Sequence, residues 1–365
     1  MQLSNITLSS ITLDPNSTLV RKGAPDLAKL GSQWEFDFHT LVYDVFYREN
    51  QTIMICPPLR NLWPVLRDGL MIDEKRPKLK RVVKQRFETI TITGSKPKNI
   101  TFQRGDNIQS IDIGSDLLDD FKGERCLVSM IKDEPIAWIK DWIRWHVVVH
   151  GTESLVLIDN NSKSLDLDLL AVEVSKIEGL NRAVFVRAPF PYGAPAGGRF
   201  RPPAMFLQVA MLNLARSRML ARASSVLSID VDELVKPLSG SSIYEHAENS
   251  LLGLASFKGK WVYSTSSSGP TSHRDHTQSQ RNGGECRNTK WCIVPSSLSD
   301  SFPWTVHRPG GMFFSFSRTS ARYWHFRSVS TGWNRSATEI PVGLEDDQEL
   351  ITAVREVLIE PADCI

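Results

Sequence analysis

The sequence predicts an α/β protein: a Rossmann-like, mostly parallel sheet preceded by a small β-rich domain and closed by a C-terminal helix. Three observations carry this. From Cys126 onward, short apolar runs alternate with segments of helical period, the grammar of β-α-β units. Residues 1–120 show only short strand-like runs punctuated by Pro, Gly and Asn. The ends of three expected strands carry polar groups: Lys132-Asp133-Glu134, Asp159-Asn160-Asn161 and Asp230-Val231-Asp232-Glu233. Ligands of parallel sheets bind at the carboxyl ends of strands, so these groups are expected to converge.

The 365 residues are 41% hydrophobic and 23% charged, ordinary for a globular chain of one large or two medium domains. The 43 basic and 41 acidic side chains leave a net charge of only +2, so no global field recruits nucleic acid or membrane. Five scattered cysteines with no C-x-x-C pair point to buried thiols in a reducing compartment. The first residues lack a basic start and a continuous apolar core, and no run reaches the ~20 apolar residues of a membrane span. A cytoplasmic location follows as the expectation, with membrane association at the inner face left open by one basic stretch.

In chain order, TLVYDVFY (40–47), QTIMIC (51–56) and ETITIT (88–93) read as strands of an antiparallel β domain over residues 1–120. Within it, KRPKLKRVVKQR (75–86) packs seven basic residues into twelve positions without an acid. That is either a solvated face or a surface for peripheral membrane contact. Without aromatic interleaving or a groove-reading helix, it is not a nucleic-acid site.

A second domain is expected over 124–337, with a closing helix over 338–365. Leu127–Ile131 reads as its first buried strand. Asp133 is the expected N-cap, with Pro135 in the first turn, of a helix whose apolar positions are Ile136, Ile139, Trp142, Ile143 and Val147, ending at Gly151. Next come the strand SLVLIDNNS, a helix over 165–177, the strand AVFVR (183–187) and a helix over about 203–221. In ASSVLSIDVDELVKPL (223–238) a β-branched run delivers three carboxylates before Pro237. In extended backbone Asp230 and Asp232 share a face and Glu233 points away. Two like charges at that range need a cation between them, and Mg²⁺ or Mn²⁺ bridging to phosphate supplies one. LLGLASFKGKWVY is strand-like. The polar run from Ser264 to Cys286 reads as a long loop in which His273-Arg274-Asp275-His276 is a solvated segment or a metal site. Trp261, Trp291, Trp304, Trp324 and Trp333 are either core or platforms for sugar rings, and LEDDQELITAVREVLIE is an amphipathic helix.

These segments together resemble glycosyltransferases of family 92 and the broader family-2-like group. Lys132, Asp133, Glu134, Trp142, His146, Asp159, Asn160 and Ser162 match the family's opening strand, turn, helix and second strand. QVAMLNLARSRMLARASSVLSIDVDELV resembles its helix leading to D-x-D-E-F, with Leu234 where Phe is usual. TKWCIVPSSL, His307 and YWHFRS resemble its closing signals.

The resemblance covers residues 124–330. It implies a GT-A fold, a nucleotide-diphosphate sugar donor (UDP by default), Mn²⁺ or Mg²⁺, and a glycan or lipid-linked glycan acceptor in surface polysaccharide synthesis. It implies further that Asp159 contacts the base or ribose, Asp230 the ribose or a water on the metal, and Asp232 the metal. His325 is then a further metal or diphosphate ligand. Lys132 and Glu134 fall in the donor site, and Lys290 and Arg327 hold diphosphate. Asp275, Glu285 and Asp300 are all open as the catalytic base. Two other readings stand beside this one. A nucleotidyltransferase or phosphohydrolase needs the same groups, but Lys-Asp-Glu-Pro stands where a Gly-rich phosphate loop would be. A carbohydrate-binding protein would hold glycan without turnover.

Overall fold

A computed structural model describes residues 1–25, 35–194, 205–264, 271–327, 329 and 341–358. Pro203, Ser328, Trp333, Cys364 and the two ends of the expected C-terminal segment lie outside these. The described chain forms two compact units. One comprises Met1–Asn5, Phe121–Phe185 and Arg222–Ile365, the other Ile6–Asp120 and Val186–Ala221.

The first unit is built on one mixed sheet. Its strands are β1 (Arg125–Ile131), β2 (Ser154–Asp159), β3 (Arg182–Arg187), β4 (Ser225–Ser228), β5 (Glu233–Val235), β6 (Leu254–Ser264), β7 (His276–Gln280), β8 (Glu285–Ile293), β9 (Arg318–Phe326) and β10 (Leu344–Asp346). Gln2–Thr7 lies beside β3, and the order continues β3-β2-β1-β4-β8-β6-β7-β10, with β5 on β9 and β9 on β6. β1 runs parallel to both β2 and β4. The 3-2-1-4 order around β1 is the Rossmann-like core expected, and it brings the carboxyl ends of β1, β2 and β4 to one edge. Beyond β4 the sheet turns antiparallel through β8, β6 and β7.

Helix α1 (Ile136–His150) follows β1, α2 (Leu167–Val174) follows β2, and α3 (Ile243–Glu248) and α4 (Gln348–Leu358) come later. The expected apolar stripe of α1 is buried at Ile139, Trp142, Ile143 and Val147, and Gly151 closes the helix at φ 70°, where a side chain would be strained. α4 buries Leu350, Ala353, Val354 and Leu358 on one face, the amphipathic helix expected.

Two local expectations are corrected. Asp133 does not cap α1. It sits at φ 61°, its carboxylate accepting from the Ser164 N–H at 2.7 Å, the Ser164 hydroxyl at 2.9 Å and the Lys163 N–H, while Pro135 takes the N-cap position. The polar run after Tyr263 is not all loop. Polar residues 276–280 form β7, because its ladder to β6 and β10 satisfies the backbone whatever the side chains are.

The second unit has a five-stranded sheet holding Asp44–Arg48, Gln51–Cys56, Glu88–Thr93 and Lys80–Val83, with Lys80–Val83 at the end of the order. It also has a three-stranded sheet of Leu70–Ile72, Ile100–Arg104 and Asn107–Ile111. Helix Leu207–Ala215 and the π-turn Arg216–Leu220 belong to this unit. Among the described residues no helix is long and apolar enough to cross a membrane. Cys56, Cys126, Cys286 and Cys292 are buried free thiols.

Candidate functional site

The site forms where the acidic segment meets β8 and β9. β4 ends at Ser228, and the chain turns: the Glu233 N–H donates to the Asp230 carbonyl at 3.0 Å, and the Asp230 N–H donates to Glu233 Oε2 at 3.0 Å. The extended-strand alternation expected over 230–233 is therefore replaced by a turn, which brings Glu233 back toward Asp230. Lys290 on β8 completes the reason. Its ammonium, only 2% exposed, lies 2.8 Å from Glu233 Oε2 and also bonds Asp230. Burial alone would lower the Lys290 pKa, but the two carboxylates raise it above its usual value. Burial pushes Glu233 up to about 7, against the pull of Lys290 and with the repulsion of Asp230 behind it.

β5 then pairs with β9 so that Glu233 and His325 stand opposite each other. His325 Nε2 lies 3.1 Å from Asp232 Oδ2, and Nδ1 lies 3.7 Å from Glu233 Oε1 and 3.6 Å from Cys286 Sγ. Burial disfavours charge on His325, yet Asp232 overcomes it and lifts the imidazole to about 10. Burial likewise raises Asp232, but the charge and hydrogen bond of His325 carry it below the ordinary carboxylate range. On β6, Trp261 stacks its indole on His325, centroids 3.7 Å apart and planes at 18°, and the Arg327 guanidinium lies 5.0 Å above the same indole.

Asp232, Glu233 and His325 offer one ligand atom each within 4.8 Å of one another. Two carboxylates and an imidazole suit a hard or borderline divalent ion such as Mg²⁺ or Mn²⁺. Asp230, expected on the ribose, a water on the metal or the metal itself, lies outside this trio and pairs with Lys290.

Glu134 and Asp159 stand at the carboxyl ends of β1 and β2. Burial, aided by Asp232 and Asp230, pushes Glu134 up to about 8 against hydrogen bonds from the backbone N–H groups of Lys132 and Glu134. Asp159, 6% exposed, accepts from the Ser162 N–H at 3.2 Å.

The three candidate bases have other partners. Asp275 accepts from the Ser272 N–H and hydroxyl, Glu285 pairs with Lys258 at 3.0 Å, and buried Asp300 accepts from Trp304 Nε1 at 2.8 Å. The solvated reading of His273-Arg274-Asp275-His276 holds only for Arg274 and Asp275, which are exposed. His273 and His276 are neither solvated nor clustered as ligands, because both are buried on main-chain oxygens, His273 on Val231 at 2.8 Å and His276 on Arg327 at 2.7 Å. Among the described tryptophans, Trp291, Trp304 and Trp324 are fully buried core, while Trp261 stands at the site on His325.

Strand alternation turns Glu233 away from the other two carboxylates, and nothing local in the sequence gives Trp261 a specific partner. Nor does any sequence signal mark Trp145 and His150, whose side chains bond β5. Val235 on β5 accepts from Trp145 Nε1 at 2.7 Å and His150 Nε2 at 3.1 Å, while its N–H donates to His146 Nε2 at 3.4 Å. Three side chains of α1 thus fix the strand that carries Glu233.

No protein-family model and no curated protein sequence matches the chain. Similar solved structures include S. aureus TarS in complex with UDP, at 12% identity and TM-score 0.30, covering 56% of this chain and 60% of that one. GalNAc-T7 with UDP, GalNAc and Mn²⁺ is 11% identical at TM-score 0.31, covering 64% and 54%. The bifunctional glycosyltransferase WbbM in its apo form is 13% identical at TM-score 0.25, covering 46% and 27%. The chain thus spans less than two thirds of each of these, and at such TM-scores neither ligand nor reaction is carried over from them.

Proposed function

We propose that this protein is a metal-dependent glycosyltransferase that moves a hexose from a nucleotide-diphosphate sugar, UDP-linked by preference, to a glycan or lipid-linked glycan acceptor. The observation that supports this best is the trio Asp232, Glu233 and His325 beside a buried lysine, at the carboxyl edge of a parallel sheet core. Cleaving a glycosyl diphosphate leaves negative charge on the departing diphosphate, and a bound Mn²⁺ or Mg²⁺ stabilises that charge.

In this reading Asp232 and His325 hold the ion. Glu233 faces the second nitrogen of His325 and fixes the ring, as carboxylates behind ligating histidines do. Lys290 keeps Asp230 and Glu233 together, so the diphosphate falls to Arg327, which is half-buried over Trp261. Asp159 and Asp230 face the base and ribose. Lys132 and Glu134 line the same site, with Glu134 keeping its proton near neutral pH.

Calorimetric titration with nucleoside diphosphates, with and without Mn²⁺, tests the reading. UDP is expected to bind with a metal requirement, and Asp232→Asn to weaken Mn²⁺ binding by more than about 100-fold. Absence of binding by any nucleotide, or full transfer activity in an Asp230→Asn, Asp232→Asn double variant, would end it.

A further inference from the structure

The basic stretch at 75–86 is not absorbed by the transferase site. We infer that the edge formed by Lys80–Val83 and its flanking lysines is a docking surface for an anionic lipid bilayer.

The strand Lys80–Val83 stands last in its five-stranded sheet and pairs on one side with Glu88–Thr93. Lys75, Lys78, Lys80 and Lys84 are exposed, and none has a hydrogen bond or ion pair from its ammonium among the described residues. Arg76 is exposed beside them, within the field of Asp68. Arg81 is not part of the surface. It makes two hydrogen bonds to buried Glu88, at 2.6 and 2.9 Å, and lies over Trp63, which anchors the strand. The nearest acids in sequence, Asp73 and Glu74, precede the stretch, and the Asp73 carboxylate is taken by the backbone N–H groups of Lys98 and Asn99.

Lysines on an edge strand also guard against edge-to-edge aggregation. A guard needs charge alone, whereas this edge exposes Val82 by 39% and Val83 by 59% among the cations. Unpaired lysines also continue past both ends of the strand, where there is no ladder to protect. Val82 shares its strand face with Lys80 and Lys84 while Val83 lies on the other face, so an edge-on approach brings an apolar side chain from each face, together with the lysines, to a headgroup layer: lysines meet lipid phosphates while valines reach the acyl boundary. A soluble polyanion would use the lysines and leave the valines wet. The inference is independent of the transferase reading.

Vesicle co-sedimentation of the full chain tests it, with phosphatidylcholine alone and with phosphatidylcholine mixed with phosphatidylglycerol. The protein is expected to pellet only with the mixed vesicles, and less so as salt rises. Each lysine removed should weaken partitioning about fivefold, so Lys78→Ala, Lys80→Ala and Lys84→Ala together should cost on the order of 100-fold. Val82→Ser with Val83→Ser should weaken it further at unchanged charge. All five positions are exposed, and unchanged circular dichroism and melting confirm that the variants fold. Failure to pellet with anionic vesicles overturns the inference. So does binding to duplex DNA or polyphosphate as tight as to vesicles with no effect of the valine changes, which would mark a general polyanion surface.

Discussion

Lys290 joins the two carboxylates of the acidic turn. Its buried ammonium is the cation that lets Asp230 and Glu233 approach within one turn. Removing one partner of a buried pair leaves an uncompensated charge, so Lys290→Met is expected to cost about 3 to 5 kcal/mol. Urea denaturation measures this, and a double-mutant cycle with Glu233→Gln should show a clear deficit from additivity, since the second change removes the stranded carboxylate. Strict additivity would mean that the pair does not hold the turn. The D-x-D spacing points to Asp232 from the residues alone, whereas His325 enters only through the resemblance of YWHFRS to a family signal. The return of Glu233 toward Asp230 was not legible. Side-chain alternation applies only while backbone stays extended, and no residue within 230–233 announces the turn, because its stabilising cation comes from β8, nearly sixty positions away in sequence (Lys290 to Glu233).

At the scale of elements, β5 is three residues long and owes its place to α1 and β9. The α1 histidines are wired as neutral rings. His150 donates from Nε2 to the Val235 carbonyl and accepts at Nδ1 from the Ile243 N–H at 3.3 Å, so it has no room for a second proton. Burial lowers its pKa to about 4. With the folded value below the unfolded one, the unfolded chain takes up the proton first, so stability present above about pH 6.5 is lost as pH falls toward 4. The expected loss from this group is about 3 kcal/mol, and His150→Gln should flatten the pH dependence of the urea midpoint between those limits. An unchanged slope would show that other groups carry the acid lability. The sequence showed α1 through its apolar period but not this role, since periodicity reports which face is buried and not which backbone it bonds. Gly259 on β6 is the complementary case. A Cβ there would lie 2.3 Å from the Tyr323 ring, which neighbours His325 on β9. Gly259→Ala should force that ring aside and cost about 1 to 3 kcal/mol, read as a lower melting temperature.

For the molecule as a whole, the alternation of strands and helices made the α/β class readable, because each element needs only local pattern. How the chain is shared between the two units is a matter of long-range packing. Residues 186–221 follow β3 in sequence yet pack in the unit formed by 6–120. The contact that shows why is Arg218, which donates to the Asp44 carboxylate at 2.7 Å and to the Ser115 carbonyl at 3.0 Å. Asp44 is fully buried, and burial raises its pKa even with Arg218 opposing. Without Arg218 the carboxyl would have to be neutralised or exposed, at about 3 to 5 kcal/mol. A fragment ending at residue 120 looks in sequence like a complete β domain. It lacks both this arginine and Phe206, whose ring meets Phe36 at 5.8 Å and lies 5.4 Å from the Arg60 guanidinium. That fragment is therefore expected to show strand content by far-UV circular dichroism without a cooperative melt. Arg218→Met in the full chain should lower the stability of this unit without altering Mn²⁺ binding at the proposed metal site. A cooperative melt of the fragment equal to that of the intact protein would instead make residues 186–221 dispensable to the β unit, and the boundary near residue 120 would then be a true domain limit.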